Sequence, residues 1–190
     1  MKNVCKIVAI LTSPRRDGTS SVLADAVIDG AMGLSTNLIE IHSINKLNFI
    51  KGCQDCGECK DTGICTYKDD ILPVLESIRT ADALIIALPI YFGLPCAQYK
   101  ILEDRMFCFL DRDMESMLPP GKRIVVIVSY KYDRDSAEAV ADRIESDFIK
   151  TFKCVPFGKI VCKDNGIEEL RKEKTTIQEA MGIGFGIWKA

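Results

Sequence analysis

The chain has 190 residues, 47% of them hydrophobic, with 25 Lys+Arg against 27 Asp+Glu. That length sustains one domain with a continuous core, and so even a balance leaves no basic block to neutralise a run of phosphates, which argues against a nucleic-acid partner. No apolar run approaches the roughly 20 residues that cross a bilayer, and nine cysteines, an odd number mostly scattered singly, read as reduced thiols of a cytoplasmic protein.

Val4 to Leu11 is an apolar, β-branched run and reads as a buried first strand; Lys6 and the following Ser13-Pro14-Arg15-Arg16 distinguish it from a signal peptide. Ser20 to Met32 then sets Val22, Ala26, Val27 and Ala31 on one helical stripe. A second strand fits Asn37 to Ile41. A cysteine-rich crossover over 45–68 follows, and Asp70 to Arg79 is a helix buried through Ile71, Val74, Leu75 and Ile78. Ala83 to Leu88 and Ile124 to Val128 are buried strands three and four, separated by a crossover whose Met106, Phe107, Phe109 and Leu110 form a buried helical stripe or an oligomer contact. Ser136 to Lys150 is the last regular helix, with Val140, Ile144 and Phe148 inward, and Phe157 to Val161 the fifth strand. Alternation of this kind with right-handed crossovers predicts a single α/β domain over 1–190. Its expected form is a flavodoxin-like three-layer sandwich around a five-stranded parallel sheet in order 2-1-3-4-5. The stretch 167–190 departs from the alternation. Its Met181-to-Trp188 run is apolar and glycine-interrupted, and reads as a loosely packed arm or a subunit contact.

Ligands in such sheets bind beyond the carboxyl ends of the strands, so the loops after strands one, three and four are the candidates. The first loop, Thr12 to Ser21, joins a buried strand to a helix opening with hydroxyl residues. Free helix N–H groups, the helix dipole and the Arg15 fork suit an anion site, and the position after the first strand favours that reading over a plain N-cap with a solvated arginine pair. Between the second strand and helix, Cys53, Cys56, Cys59 and Cys65 form a C-x2-C-x2-C-x5-C run loosened by Gly57 and Gly63. Thiolates at this spacing can hold an iron–sulfur cluster or zinc; paired disulfides and an empty reduced loop are the competing readings. His42 stands alone and reads as solvent-facing or as a strand-end hydrogen bond, and Asp111-Arg112-Asp113 and Asp133-Arg134-Asp135 read as solvated faces or surface pairs flanking helices.

Ser13-Pro14-Arg15 and Gly18 resemble the first loop, G-S-P-R-x-x-G-N-T, of the NADPH-dependent FMN reductase-like group of flavodoxin-fold proteins, with Thr12, Thr19 and Ser20 in place of Gly, Asn and Thr. The resemblance continues at Pro89-Ile90-Tyr91-Phe92-Gly93 and at Ala97 to Arg105, which follow that group's P-[IV]-Y-[FWY]-G and A-x-[LM]-K-x-[FL]-x-D-R patterns. It implies FMN, with the phosphate held by Ser13, Arg15, Gly18, Thr19, Ser20 and Ser21. The ring would lie against Pro89, Ile90, Tyr91, Phe92 and Gly93, with Ser129 and Tyr130 beside it. The four cysteines are similar to the C-x2-C-x2-C-x4-7-C motif of the iron–sulfur flavoprotein subgroup. That likeness implies a 4Fe-4S cluster on Cys53, Cys56, Cys59 and Cys65, placed on the carboxyl side of the sheet toward the flavin. Other flavin reductases of this fold carry a similar segment without known iron, and Gln54-Asp55 departs from the usual apolar-Gly pair.

The resemblance thus implies an FMN-dependent oxidoreductase or electron-transfer flavoprotein. Its alternatives are an NAD(P)H-dependent FMN or quinone reductase without a cluster and a non-catalytic redox sensor or carrier. The implied partners are NAD(P)H or a small ferredoxin-like redox carrier, and a second copy in a homo-oligomer, dimer or tetramer. No membrane is expected among them. No residue pattern marks a separate catalytic acid, base or nucleophile.

Overall fold

A computed structural model describes residues 4–33 and 37–187. The strands are β1 (Lys6–Leu11), β2 (Leu38–Ser43), β3 (Ala83–Tyr91), β4 (Leu94–Pro95), β5 (Arg123–Tyr130) and β6 (Val155–Lys163). Five of them lie in the order β2-β1-β3-β5-β6 with every neighbour parallel, while the two-residue β4 folds back antiparallel on the end of β3. With β4 set aside, this is the flavodoxin-like 2-1-3-4-5 order expected from the alternation.

Side chains of a strand alternate between faces, so a strand covered on both sides must be apolar at every position. Ala83 to Ile90 meets that demand, all eight residues being buried. Ile7, Ala9, Ile85, Ala87, Val125 and Ile127 face one layer, made by α1 (Thr19–Met32) and the chain's end. Val8, Ile10, Leu84, Ile86, Val126 and Val128 face the other. That second layer consists of α2 (Leu72–Thr80), α3 (Ala97–Arg105) and α4 (Arg134–Lys150). Asp133 caps α4, accepting the Ser136 N–H at 3.0 Å.

Three boundaries differ from the sequence expectation. β3 runs on through Pro89, Ile90 and Tyr91, because Ile90 and Tyr91 pair with Pro95 and Leu94 of the return strand. α3 stops at Arg105, and Met106–Phe109 tighten into a 3-10 turn that still buries Met106 and Phe109. The chain's end, expected as a loose arm, forms α5 (Ile167–Lys172) and α6 (Lys174–Gly186), of which α6 packs along α1. Trp188 lies outside the described residues.

The glycines that read as looseness are what let α6 and α1 touch backbone to backbone. A Cβ on Gly184 would lie 1.8 Å from Val27 O, and one on Gly30 2.0 Å from Met181 O. Gly184→Val therefore forces the helices apart and is expected to cost about 3 kcal/mol, the upper end of ordinary overpacking. Gly182 has open space around its missing Cβ in the same helix, and Gly182→Ala should stabilise by about 0.5–1 kcal/mol. Urea unfolding of both variants checks the pair, and equal effects would contradict the packing.

Candidate functional site

Sheet register sets Leu11 opposite Ala87 and Pro89 opposite Ser129, which brings the carboxyl ends of β1, β3 and β5 together. Thr12 fastens the first loop there, its N–H donating to Ala87 O at 2.9 Å and its hydroxyl to the same oxygen at 3.1 Å. The chain then turns tightly, with the Arg15 N–H on Ser13 Oγ and the Gly18 N–H on Arg15 O, both at 3.2 Å. α1 begins at Thr19 with Gly18 as its N-cap, without a capping side chain and without an acid in its first turn. No side chain caps its leading N–H groups, which remain as donors at the positive end of the dipole. Ser20 Oγ is buried and has no hydrogen-bond partner, whereas Ser21 Oγ donates to Arg15 O at 3.4 Å. An uncapped helix start beside an unused hydroxyl and an arginine fits a phosphate group.

The acid that answers this loop comes from the other end of the chain. Asp164, between β6 and α5, is ion-paired with Arg15 and accepts the Thr19 hydroxyl at 3.0 Å. Its own N–H donates to Tyr130 O at 2.6 Å. No sequence signal marks this residue, which lies 149 positions from Arg15. Burial pushes the Asp164 carboxyl up, but Arg15 and Thr19 outweigh that effect and hold it below the usual carboxylate range. A depressed folded-state value means stability that is present above the unfolded value of about 3.9 and is lost as pH falls through the folded one. Asp164→Asn should therefore melt earlier than the parent at neutral pH, with the gap closing below about pH 3.9. A gap unchanged into acid would contradict the linkage.

Beyond β3 the chain reverses through Tyr91-Phe92-Gly93-Leu94, with φ of 52° at Phe92 and 74° at Gly93. Two positive φ values at the centre of a two-residue hairpin define a type I′ turn, a place for glycine or asparagine. Phenylalanine there costs about 1–2 kcal/mol, yet its ring makes no core contact and stands fully exposed. Tyr91 and Leu94 are also exposed, as is Tyr132 just past β5, a residue not singled out from the sequence. Ser129 is buried and Tyr130 half-buried alongside. Together they gather exposed aromatic and aliphatic side chains at the open end of the sheet, the surface type that a planar ring needs.

The cysteines lie elsewhere. After β2 the chain runs down α3: Gln98 Nε2 donates to Asn45 Oδ1 at 3.1 Å near the helix start, and Arg105 Nη1 donates to Lys51 O at 3.0 Å at its end. The run that follows is held at the end of α3 opposite the Pro89–Gly93 hairpin, about 12 Å along a nine-residue helix. The expected position toward the flavin loops is corrected accordingly, because Arg105 anchors the segment at the helix C-terminus. Cys53, Cys56, Cys59 and Cys65 line one small cavity together with Arg105, Phe107 and Cys108. None of the nine cysteines is disulfide-bonded in the structure. Among the described residues no three His, Cys, Asp or Glu side chains stand in ligating positions, so the thiols share a cavity without converging on one point.

Cys53 and Cys56 are exposed and Cys59 is buried. Burial pushes the Cys59 thiol up, and Cys108 is pushed up to about 12 by its burial and then by Cys65 and Cys59. Arg105 Nη2 donates to Cys65 Sγ at 3.3 Å and to Tyr67 O at 3.1 Å, and its guanidinium is ion-paired with Asp69. Four thiols beside a buried cation form a donor set that fits an anionic, soft-metal centre. Cys53 also borders a cavity of 440 Å³ between α3 and α4, walled by Met106, Phe107, Leu110, Phe148 and Phe152. Arg105 and Cys108 carried no role in the sequence reading, the one being part of a family pattern and the other resembling a core thiol.

The remaining polar residues behave as structure. His42 Nε2 is 2.9 Å from Ser77 Oγ, and Arg112 makes an exposed two-pronged pair with Asp61 at 2.9 Å. Among the described residues, no helix is long and apolar enough to cross a membrane.

Comparison with known proteins agrees with this geometry. An iron–sulfur flavoprotein of Methanocaldococcus jannaschii is 33% identical over 102 residues, 53% of this chain and 51% of its own length. A second iron–sulfur flavoprotein of that organism is 29% identical over 154 residues, 80% of this chain and 75% of its own. The chain thus spans about half the length of the first and three quarters of the second. Among solved structures, an NAD(P)H:quinone oxidoreductase from Methanothermobacter marburgensis superposes with a TM-score of 0.68 at 15% identity, covering 97% of this chain and 96% of its own, a likeness of fold. The family model described as NADPH-dependent FMN reductase matches residues 5–166, through both loops and the cysteine run, and the chain belongs to that family.

Proposed function

We propose that this chain binds FMN and acts as a flavin-dependent oxidoreductase, with a 4Fe-4S cluster on Cys53, Cys56, Cys59 and Cys65 exchanging single electrons. The observation that carries the flavin is the uncapped start of α1 with the unpartnered Ser20 hydroxyl. Ser13, Arg15, Thr19, Ser20 and Ser21 around Gly18 would hold the phosphate, and Pro89 to Gly93 with Ser129 and Tyr130 would seat the ring. Bound FMN supplies the exchange of one or two electrons, and a cluster the exchange of one. The protein's share is placement: the α1 terminus fixes the anionic end, and the strained Phe92 turn with Tyr91 presents an apolar wall that excludes water from one side.

NAD(P)H or a small ferredoxin-like carrier is the proposed donor, and the solved relative described as an NAD(P)H:quinone oxidoreductase supports the nicotinamide. The exposed Tyr91, Phe92, Leu94 and Tyr132 at the flavin end support a second copy of the chain as a neighbour. Nine cysteines without a disulfide suit the reducing cytoplasm. A second reading, a reductase or carrier without a cluster, is favoured by the thiols' failure to converge.

Anaerobic purification followed by absorbance, iron and sulfide analysis tests both parts. Flavin bands with iron and sulfide in equal amount are expected, together with repeated reduction of a quinone by NAD(P)H. A protein that stays colourless after incubation with FMN overturns the flavin reading. Flavin without iron leaves the second.

A further inference from the structure

Arg105 is the largest fully buried side chain among the described residues, 1% exposed, and the side chain of its partner Asp69 is 0% exposed. Burying such a pair is costly, and proteins keep one where the geometry satisfies nearly every donor. Here both terminal nitrogens are used, on Lys51 O, Asp69, Tyr67 O and Cys65 Sγ. Nε is not: it is buried and has no partner. Arg105 also lines the cavity that the four cysteines line. A guanidinium that donates to one thiol and holds a spare donor beside three more is built for an acceptor of negative charge.

We propose that Arg105 is the charge-balancing residue of the cysteine centre, its Nε donating to a sulfur of the bound cluster and its charge stabilising the reduced state. The inference rests on the cluster reading above. A thiolate-ligated cluster is net anionic and gains a further negative charge on taking up one electron, so a buried cation at its edge favours reduction and raises the potential. Asp69 moderates that charge: it pairs with Arg105 and also accepts the Lys51 and Ile71 N–H groups. The two residues therefore act on the potential with opposite signs. Burial opposes the charge on Arg105, and Asp69 and the Cys65 sulfur more than compensate.

The test is an equilibrium redox titration of anaerobically prepared protein, followed by the paramagnetic signal of the reduced centre. Arg105→Gln should shift the reduction equilibrium about tenfold toward the oxidised form, ~59 mV for a one-electron couple. Asp69→Asn, which keeps the shape and one of the two acceptor oxygens, should shift it the other way. A merely structural role predicts loss of centre in both with no such pair of signs. Should Arg105→Gln not fold, Asp69→Asn decides by its sign, and pulsed resonance on wild-type protein containing 15N-arginine should detect coupling to a guanidinium nitrogen. Unchanged midpoints in both variants, or a wild-type centre without arginine coupling, overturn the proposal while the cluster stands. Wild-type protein with flavin but no iron overturns both.

Discussion

Cys65→Ser is expected to empty the cysteine site while leaving the flavin bound. A serine oxygen is a hard, weakly acidic replacement for a thiolate, and it also removes the acceptor that holds Arg105 Nη2 at 3.3 Å. Loss of an outer partner costs a metal site about 10–100-fold in affinity, and loss of a ligand should exceed that. FMN should be unaffected, because its loops gather at the start of α3 and the cysteines at its end. Cys108→Ser is the control. Cys108 lines the same cavity but lies outside the four-cysteine run, so this variant should keep its iron. Iron, sulfide and flavin per chain are the measurement. Parallel loss of iron and flavin in Cys65→Ser, or retention of both, would count against two separate centres.

Much of the architecture could be read from local pattern, because its determinants are local. Ala83 to Ile90 is apolar at every position, as a strand buried on both faces has to be. The loop proposed for the phosphate is equally local: Ser13, Arg15, Thr19, Ser20 and Ser21 lie within nine consecutive residues, the last three of them opening α1. What the sequence hid is long-range. Asp164 reaches Arg15 from the last crossover, and no spacing rule connects a β6–α5 loop to the first one. The cysteine run was found by its spacing, but its position was not, since that depends on Arg105 and Asp69 meeting across 36 residues. The tail failed differently. Glycines at Gly182, Gly184 and Gly186 lower helix propensity by about 1 kcal/mol each, which favoured a loose arm. Tertiary packing overrides that cost where Gly184 admits the backbone of α1.

Arg15→Glu is expected to weaken FMN binding by more than about 100-fold. A charge-assisted hydrogen bond to a phosphate contributes roughly 1.5–3 kcal/mol, which at 1.4 kcal/mol per decade is already about 10- to 150-fold, and the new carboxylate adds repulsion. Arg15→Lys keeps the charge without the fork and should lose less than about tenfold. Arg15→Lys keeps the pairing with Asp164 and should leave the fold intact, whereas Arg15→Glu sets a second carboxylate against Asp164 and should melt earlier while still folding, since the Arg15 side chain is 60% exposed. Riboflavin separates a phosphate contact from a damaged ring site, since it carries the same ring without the anion. Its affinity should be the same in wild type and Arg15→Glu. Equal losses for FMN and riboflavin would place the effect at the hairpin or in the fold, and no loss for FMN would remove Arg15 from the seat. Salt supplies an independent reading, because Arg15 is exposed and its attraction for phosphate is screened. The gap between FMN and riboflavin affinities should narrow with added salt in the wild type. In Arg15→Glu the introduced carboxylate, Asp17 and Asp164 outnumber Arg16, which is itself paired with Asp25, so the side-chain charge at the loop is net repulsive and added salt should there strengthen FMN binding instead.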